Sequence, residues 1–188
     1  MRRTAYVLII LLFTIFPAFS ASQGQFYSVS LTPSLYLSIP HFEDEIPVRT
    51  SAGFAASFDL LGYQTQKASA SVGVQLGTVT ASIPFGSYRA RGFTTIGLQA
   101  KGGWNITPTF SITSQIGTEI NIYKSIEEVF ASFSFQIGPQ FLFMENGDYQ
   151  LFFTLPLSLH LRKEITAIQA GVGFRYQYFP KPKQGEQQ

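Results

Sequence analysis

The 188-residue chain carries 13 Lys and Arg against 11 Asp and Glu, for a formal net charge of +2, and it has no cysteine. Charged residues make up only 13% of it and aromatic residues 15%, with 19 Phe. So even a balance, with no basic cluster along an aromatic platform, argues against a nucleic-acid partner, and the missing cysteines exclude disulfides, thiolate metal sites and lipoprotein attachment.

The chain opens with Arg2 and Arg3, an apolar run over 5–16, then Pro17 and the small residues Ala18 and Ser20. That order is a secretory signal, predicted to span 1–20 with cleavage after Ser20, or alternatively after Ser22. The run is short and interrupted by Pro17, so it does not make a helical anchor, and no later stretch reaches the roughly 20 apolar residues of a membrane helix. Past the signal the chain alternates with a period of two. One parity is Tyr27, Val29, Leu31, Pro33, Leu35, Leu37 and Ile39, while Ser28, Ser30, Thr32, Ser34, Tyr36 and Ser38 form the other. This is strand periodicity.

The segment 40–50, with Glu43, Asp44, Glu45 and Arg49, reads as a loop. A second strand sets Ala52, Phe54, Ala56, Phe58 and Leu60 against Ser51, Gly53, Ala55, Ser57 and Asp59, and 61–66 is expected to turn the chain. The third sets Ala70, Val72, Val74 and Leu76 against Lys67, Ser69, Ser71, Gly73 and Gln75, before a long loop over 79–92. In the fourth, Ile96, Leu98, Ala100 and Trp104 oppose Thr95, Gly97, Gln99 and Lys101, and 105–109 turns. The fifth has Phe110, Ile112, Ile116, Ile120 and Ile122 against Ser111, Thr113, Gln115, Glu119 and Asn121. The sixth has Val129, Ala131, Phe133, Phe135 and Ile137 against Ser132, Ser134, Gln136 and Gln140, and Asn146-Gly147 supplies the positive-φ residues of a tight hairpin. In the seventh, the odd residues from Tyr149 to Leu161 oppose Gln150, Thr154, Ser158 and His160. The eighth opposes Ile168, Ala170, Val172, Phe174, Tyr176 and Tyr178 with Gln169, Gly171, Gly173, Arg175 and Gln177. The expected organisation is a signal peptide over 1–20, one domain over 21–179 and a polar tail over 180–188.

A water-soluble barrel would carry its apolar parity inside and a charge-rich parity in water. Here the polar parity holds only scattered charges among Ser, Gly, Gln and Thr, and the other is too rich in Phe, Leu and Ile to fit a narrow cylinder. The prediction is therefore an all-β, eight-stranded antiparallel up-and-down transmembrane barrel with its apolar face in lipid. Asp59, Lys67, Lys101, Glu119 and Arg175 are expected to form a lumen-facing charged network, because buried charges require partners. With both termini on the periplasmic side, the turns at 61–66, 105–109 and 144–148 share that side, where Tyr27, Trp104, Tyr149, Tyr176 and Tyr178 make an aromatic girdle.

In the last strand, Gln169, Gly171, Phe174 and Tyr176 match the polar-x-Gly-x-x-aromatic-x-aromatic assembly signal of bacterial outer-membrane β-barrels. The chain resembles the small eight-stranded members, of the OmpA, OmpX or OmpW type, over nearly all its length after the signal. That resemblance implies the bacterial outer membrane as location, with the lipid bilayer and the barrel assembly machinery as partners, and no cofactor. Two departures are the residues beyond Tyr176 and the strand prolines Pro33, Pro139 and Pro156, where bulges are expected.

Ser158, His160 and Glu164 are the only hydroxyl, imidazole and carboxylate set near the loop rim. Ser158 and His160 share the lumen-facing parity, out of reach of a membrane acyl chain, so no catalytic residue is assigned. His41 with Glu43 and Asp44 reads as a solvated loop with no metal, and Asn105-Ile106-Thr107 as a chance glycosylation tripeptide before Pro108. The expected function is a structural or surface-interaction role, with loops 40–50 and 79–92 as the surface for a ligand. A narrow conduit for small solutes is the alternative, and a lipid-modifying enzyme ranks third.

Overall fold

Inside a bilayer every backbone N–H and C=O must find its partner within the protein, and a closed ring of strands achieves this. The computed structural model, described for residues 24–40, 49–80, 92–123, 127–163 and 165–180, is such a ring. Its strands are β1 (Gln25–Pro40), β2 (Arg49–Gln64), β3 (Ala68–Val79), β4 (Phe93–Thr107), β5 (Phe110–Tyr123), β6 (Glu128–Asn146), β7 (Tyr149–Thr154), β8 (Leu157–Leu161), β9 (Ile165–Gly171) and β10 (Gly173–Tyr178). β7 with β8, and β9 with β10, each form one stave, so ten segments make eight antiparallel staves. β1 closes the ring by pairing with β2 on one side and with β9 and β10 on the other, Tyr27 opposite Tyr178 and Leu37 opposite Ile168. The signal segment and residues 181–188 of the tail lie outside the described residues, as do 41–48 and 81–91 of the two long loops.

Burial is inverted relative to a soluble protein. Trp104 is 68% exposed and Leu98 66%, while Arg175 is 5% exposed and Gln177 1%. The alternation read from the sequence thus points its apolar parity outward and its polar parity into the lumen. Both described chain ends and the β2–β3, β4–β5 and β6–β7 turns lie at one end of the ring, the turn end, and Tyr27, Trp104, Phe143, Tyr176 and Tyr178 are exposed around it.

Three details differ from the sequence-based expectation. β2 does not turn after Leu60 but continues to Gln64, because a bulge at Leu60 absorbs one residue and restores the alternation. Equivalent bulges sit at Ile106 and Phe143, close to the ends of β4 and β6. No register shift occurs at Pro33, Pro139 or Pro156. Each proline carbonyl still accepts a ladder bond, from the N–H of Val172 at 3.1 Å, Leu155 at 3.1 Å and Gly171 at 2.9 Å respectively, so only the proline's missing donor is lost. Pairing is therefore in the same register on both sides of each gap, as Phe141 opposite Phe153 and Ile137 opposite Leu157 show. Finally, only Gly147 of the Asn146-Gly147 pair has positive φ, +40°, and Asn146 remains in β6.

Candidate functional site

The lumen is the only place in the described residues where charged side chains are buried together. At its turn end Phe26 is fully buried, with its ring 6.1 Å from that of Phe179, and the Arg175 guanidinium carbon lies 5.4 Å from its centroid. Phe152 is buried on the same inward parity, and the Gln177 amide donates to the Gln64 oxygen at 2.5 Å.

The next layer centres on Asp59, whose side chain is 0% exposed. Its Oδ1 lies 3.1 Å from Lys101 Nζ and 3.3 Å from Gln99 Nε2; its Oδ2 accepts from Arg175 Nη2 at 3.0 Å and from the Ser28 hydroxyl. Lys101 also donates to Ser57 Oγ at 2.9 Å, and Arg175 to Ser28 Oγ at 3.1 Å and Gln140 Oε1 at 3.2 Å. The backbone places Asp59 through a close approach to β3: a Cβ added at Gly73 would run into the Phe58 carbonyl oxygen and lie 2.8 Å from Asp59 Cα. Glycine at that position lets the two strands meet beside the Leu60 bulge.

Farther along, Glu119 Oε2 lies 3.2 Å from His160 Nδ1, and His160 Nε2 lies 2.8 Å from Gln169 Oε1. Gln169 in turn donates to Ser34 Oγ at 2.6 Å. Toward the loop end aromatic rings pack inside the lumen. Phe93 stacks on Tyr123 at 4.8 Å, Tyr36 meets Phe93 at 5.6 Å, and Arg162 lies over Phe130 at 4.7 Å while donating to the Tyr123 hydroxyl at 2.6 Å.

Of the five charges expected in one network, Asp59, Lys101 and Arg175 come together, and Glu119 is in the lumen but partnered by His160. Lys67 is a correction. It lies in the bend between β2 and β3, exposed at the open end of the ring, because β3 begins one residue later and the ammonium stays in water. The aromatic layers of Phe26, Phe93, Tyr123 and Phe152 were not assigned from the sequence, although aromatic residues at strand ends on an otherwise polar parity are the signal that marks them.

Ser158 donates to Gln136 Oε1 at 3.1 Å, and both His160 nitrogens are engaged with Glu119 and Gln169, so these two residues do not form a nucleophile and base pair. Glu164 lies outside the described residues, as do His41, Glu43 and Asp44. Among the described residues no group of three His, Asp or Glu could hold a metal. Asn105 anchors the neighbouring turn through its amide, 3.1 Å from the Gln66 carbonyl. In the last stave, Gln169 and Gly171 face inward, while Phe174 packs on Phe153 at 5.8 Å and Tyr176 on Tyr149 at 5.7 Å outside.

An apolar outer wall around a lumen filled by its own side chains defines a transmembrane β-barrel of eight antiparallel staves. No protein-family model matches the chain, and no curated protein matches it. Among solved structures it is similar to Neisserial surface protein A, at a TM-score of 0.57 and 11% identity over 81% of this chain and 98% of that one. It is also similar to Ail, the attachment invasion locus protein of Yersinia pestis, at a TM-score of 0.46 and 10% identity over 83% of this chain and 100% of that one. At 11% identity the likeness to Neisserial surface protein A is one of fold.

Proposed function

We propose that the protein is an integral barrel of the bacterial outer membrane with a structural or surface-interaction role, and neither an enzyme nor an open porin. The observation that supports this most is the Asp59–Lys101–Arg175 cluster set between two aromatic layers, since conduction requires a continuous aqueous path and these groups are bonded to one another across the lumen. With the interior closed, the loops 40–50 and 79–92 are the surface for a partner, and Gln169, Gly171, Phe174 and Tyr176 present the last strand to the assembly machinery. Planar-bilayer recording of the refolded protein tests this reading. Silence in the parent, Lys101→Ala and Arg175→Ala is expected. A stable parent conductance that changes with either substitution would replace it with the small-solute conduit.

A further inference from the structure

The charge layer around Asp59 does not balance. Among the described residues the buried acids are Asp59 and Glu119, and Glu119 is engaged by His160. Asp59 alone therefore faces both Lys101 and Arg175, which leaves one cation without a carboxylate of its own. An unpaired charge withdrawn from water is costly, so a counter-charge is expected within reach.

A cavity of about 50 Å³ opens beside this layer, lined by Lys101, Arg175, Gln75, Gln136 and Gln140 among others; a water needs on the order of 10–15 Å³. These three glutamines of its wall turn donors toward it, beside the Ser30, Thr32, Ser114 and Thr154 hydroxyls, which can donate or accept. Arginine can only donate, so the bond from Arg175 Nη1 fixes the Gln140 oxygen toward it and turns the amide nitrogen elsewhere. The Gln75 oxygen accepts from Gln115 at 3.0 Å, and the Gln136 oxygen from Ser158 at 3.1 Å. All three glutamine oxygens are thus engaged, and among the described residues their amide nitrogens donate to no partner. Water or an anion could accept from these donors, but only an anion also offsets the surplus positive charge that Lys101 and Arg175 carry against Asp59.

We propose that this cavity binds a small monovalent inorganic anion, a halide such as chloride, held by Lys101, Arg175 and the amide nitrogens of Gln75, Gln136 and Gln140. The proposal is independent of the surface role, because halide binding and conductance are separate readouts. The full chain, refolded from urea into detergent in sodium bromide and crystallised, is expected to give an anomalous bromide peak in the cavity. Its heat-unfolding midpoint should rise saturably in chloride or bromide relative to gluconate at equal ionic strength. Gln140→Glu supplies the missing negative charge in place, so it should lose the bromide peak and the halide response together. Lys101→Met removes the surplus cation instead, with the same expected losses, and serves if the first variant does not fold. Absence of a bromide peak in the parent overturns the proposal whatever the midpoints do, and so does a peak that persists in whichever variant folds.

Discussion

Asp59 is the pivot of the lumen because both carboxylate oxygens are used, by Lys101 and Gln99 on one side and by Arg175 and Ser28 on the other. Asp59→Asn leaves Lys101 and Arg175 facing each other without the carboxylate they share. Removal of one partner from a buried charge set costs about 3–5 kcal/mol, whereas Ser57→Ala loses the one hydrogen bond it accepts from Lys101, about 1.5–3 kcal/mol. Urea unfolding in lipid vesicles checks the order, and an Asp59→Asn loss no larger than that of Ser57→Ala would remove Asp59 from this role. The co-facing of Asp59, Lys101 and Arg175 was legible because parity alone determines it. Lys67 was misplaced because parity does not say where a strand begins. The Glu119–His160 pair was missed for a different reason: it depends on β5, β6 and β8 lying side by side, with Glu119 opposite Ser132 and His160 opposite Ser134, and single-strand periodicity carries no register.

At the level of the strand, the faces themselves make the sharper test. Phe135 points into lipid and Gln136, its neighbour on β6, lines the lumen cavity. Phe135→Arg is expected to cost about 2–4 kcal/mol of folding stability, as a cation on the lipid face near mid-membrane does. Gln136→Glu should cost less, because its carboxylate remains among polar groups in a cavity that Lys101 and Arg175 also line. Equal losses in urea titrations of the two variants would mean that the faces are exchanged or mixed. The prolines make a second, local prediction. Pro33, Pro139 and Pro156 fall on β1, on β6 and between β7 and β8, which with the β9–β10 stave form one continuous sector of the wall, and each removes one ladder donor there. Amides of Leu155, Gly171 and Val172 should therefore exchange with deuterium faster than that of Ile116, in the unbroken β4–β5–β6 ladder. Uniform protection across both sectors would show that the missing donors do not soften the wall. The sequence shows where the prolines are. Its expectation of bulges failed because it treated proline as an obstacle to pairing, when in an antiparallel ladder the carbonyl of the same residue can keep its bond and hold the register.

For the whole molecule, inversion is the governing fact: lipid solvates the apolar wall, and the polar lumen must satisfy itself. Eight staves leave an interior just wide enough for side chains to fill, and this one is filled in series, by Phe26 and Phe152, by the Asp59 layer, by Glu119 with His160, and by the Tyr36, Phe93, Tyr123 and Phe130 rings under Arg162. Barriers in series have a clear consequence for conductance, because current is limited by whichever layer remains closed. Arg162→Ala with Tyr123→Ala removes the latch over the loop-end rings but leaves the ion layer and Phe26 in place. Bilayer recordings of that double variant should be as silent as the parent, while its heat-modifiable gel mobility confirms that the barrel has folded. Conductance in the double variant alone would place the whole barrier at the loop end, and the Asp59 layer would then be a wall lining and not a plug.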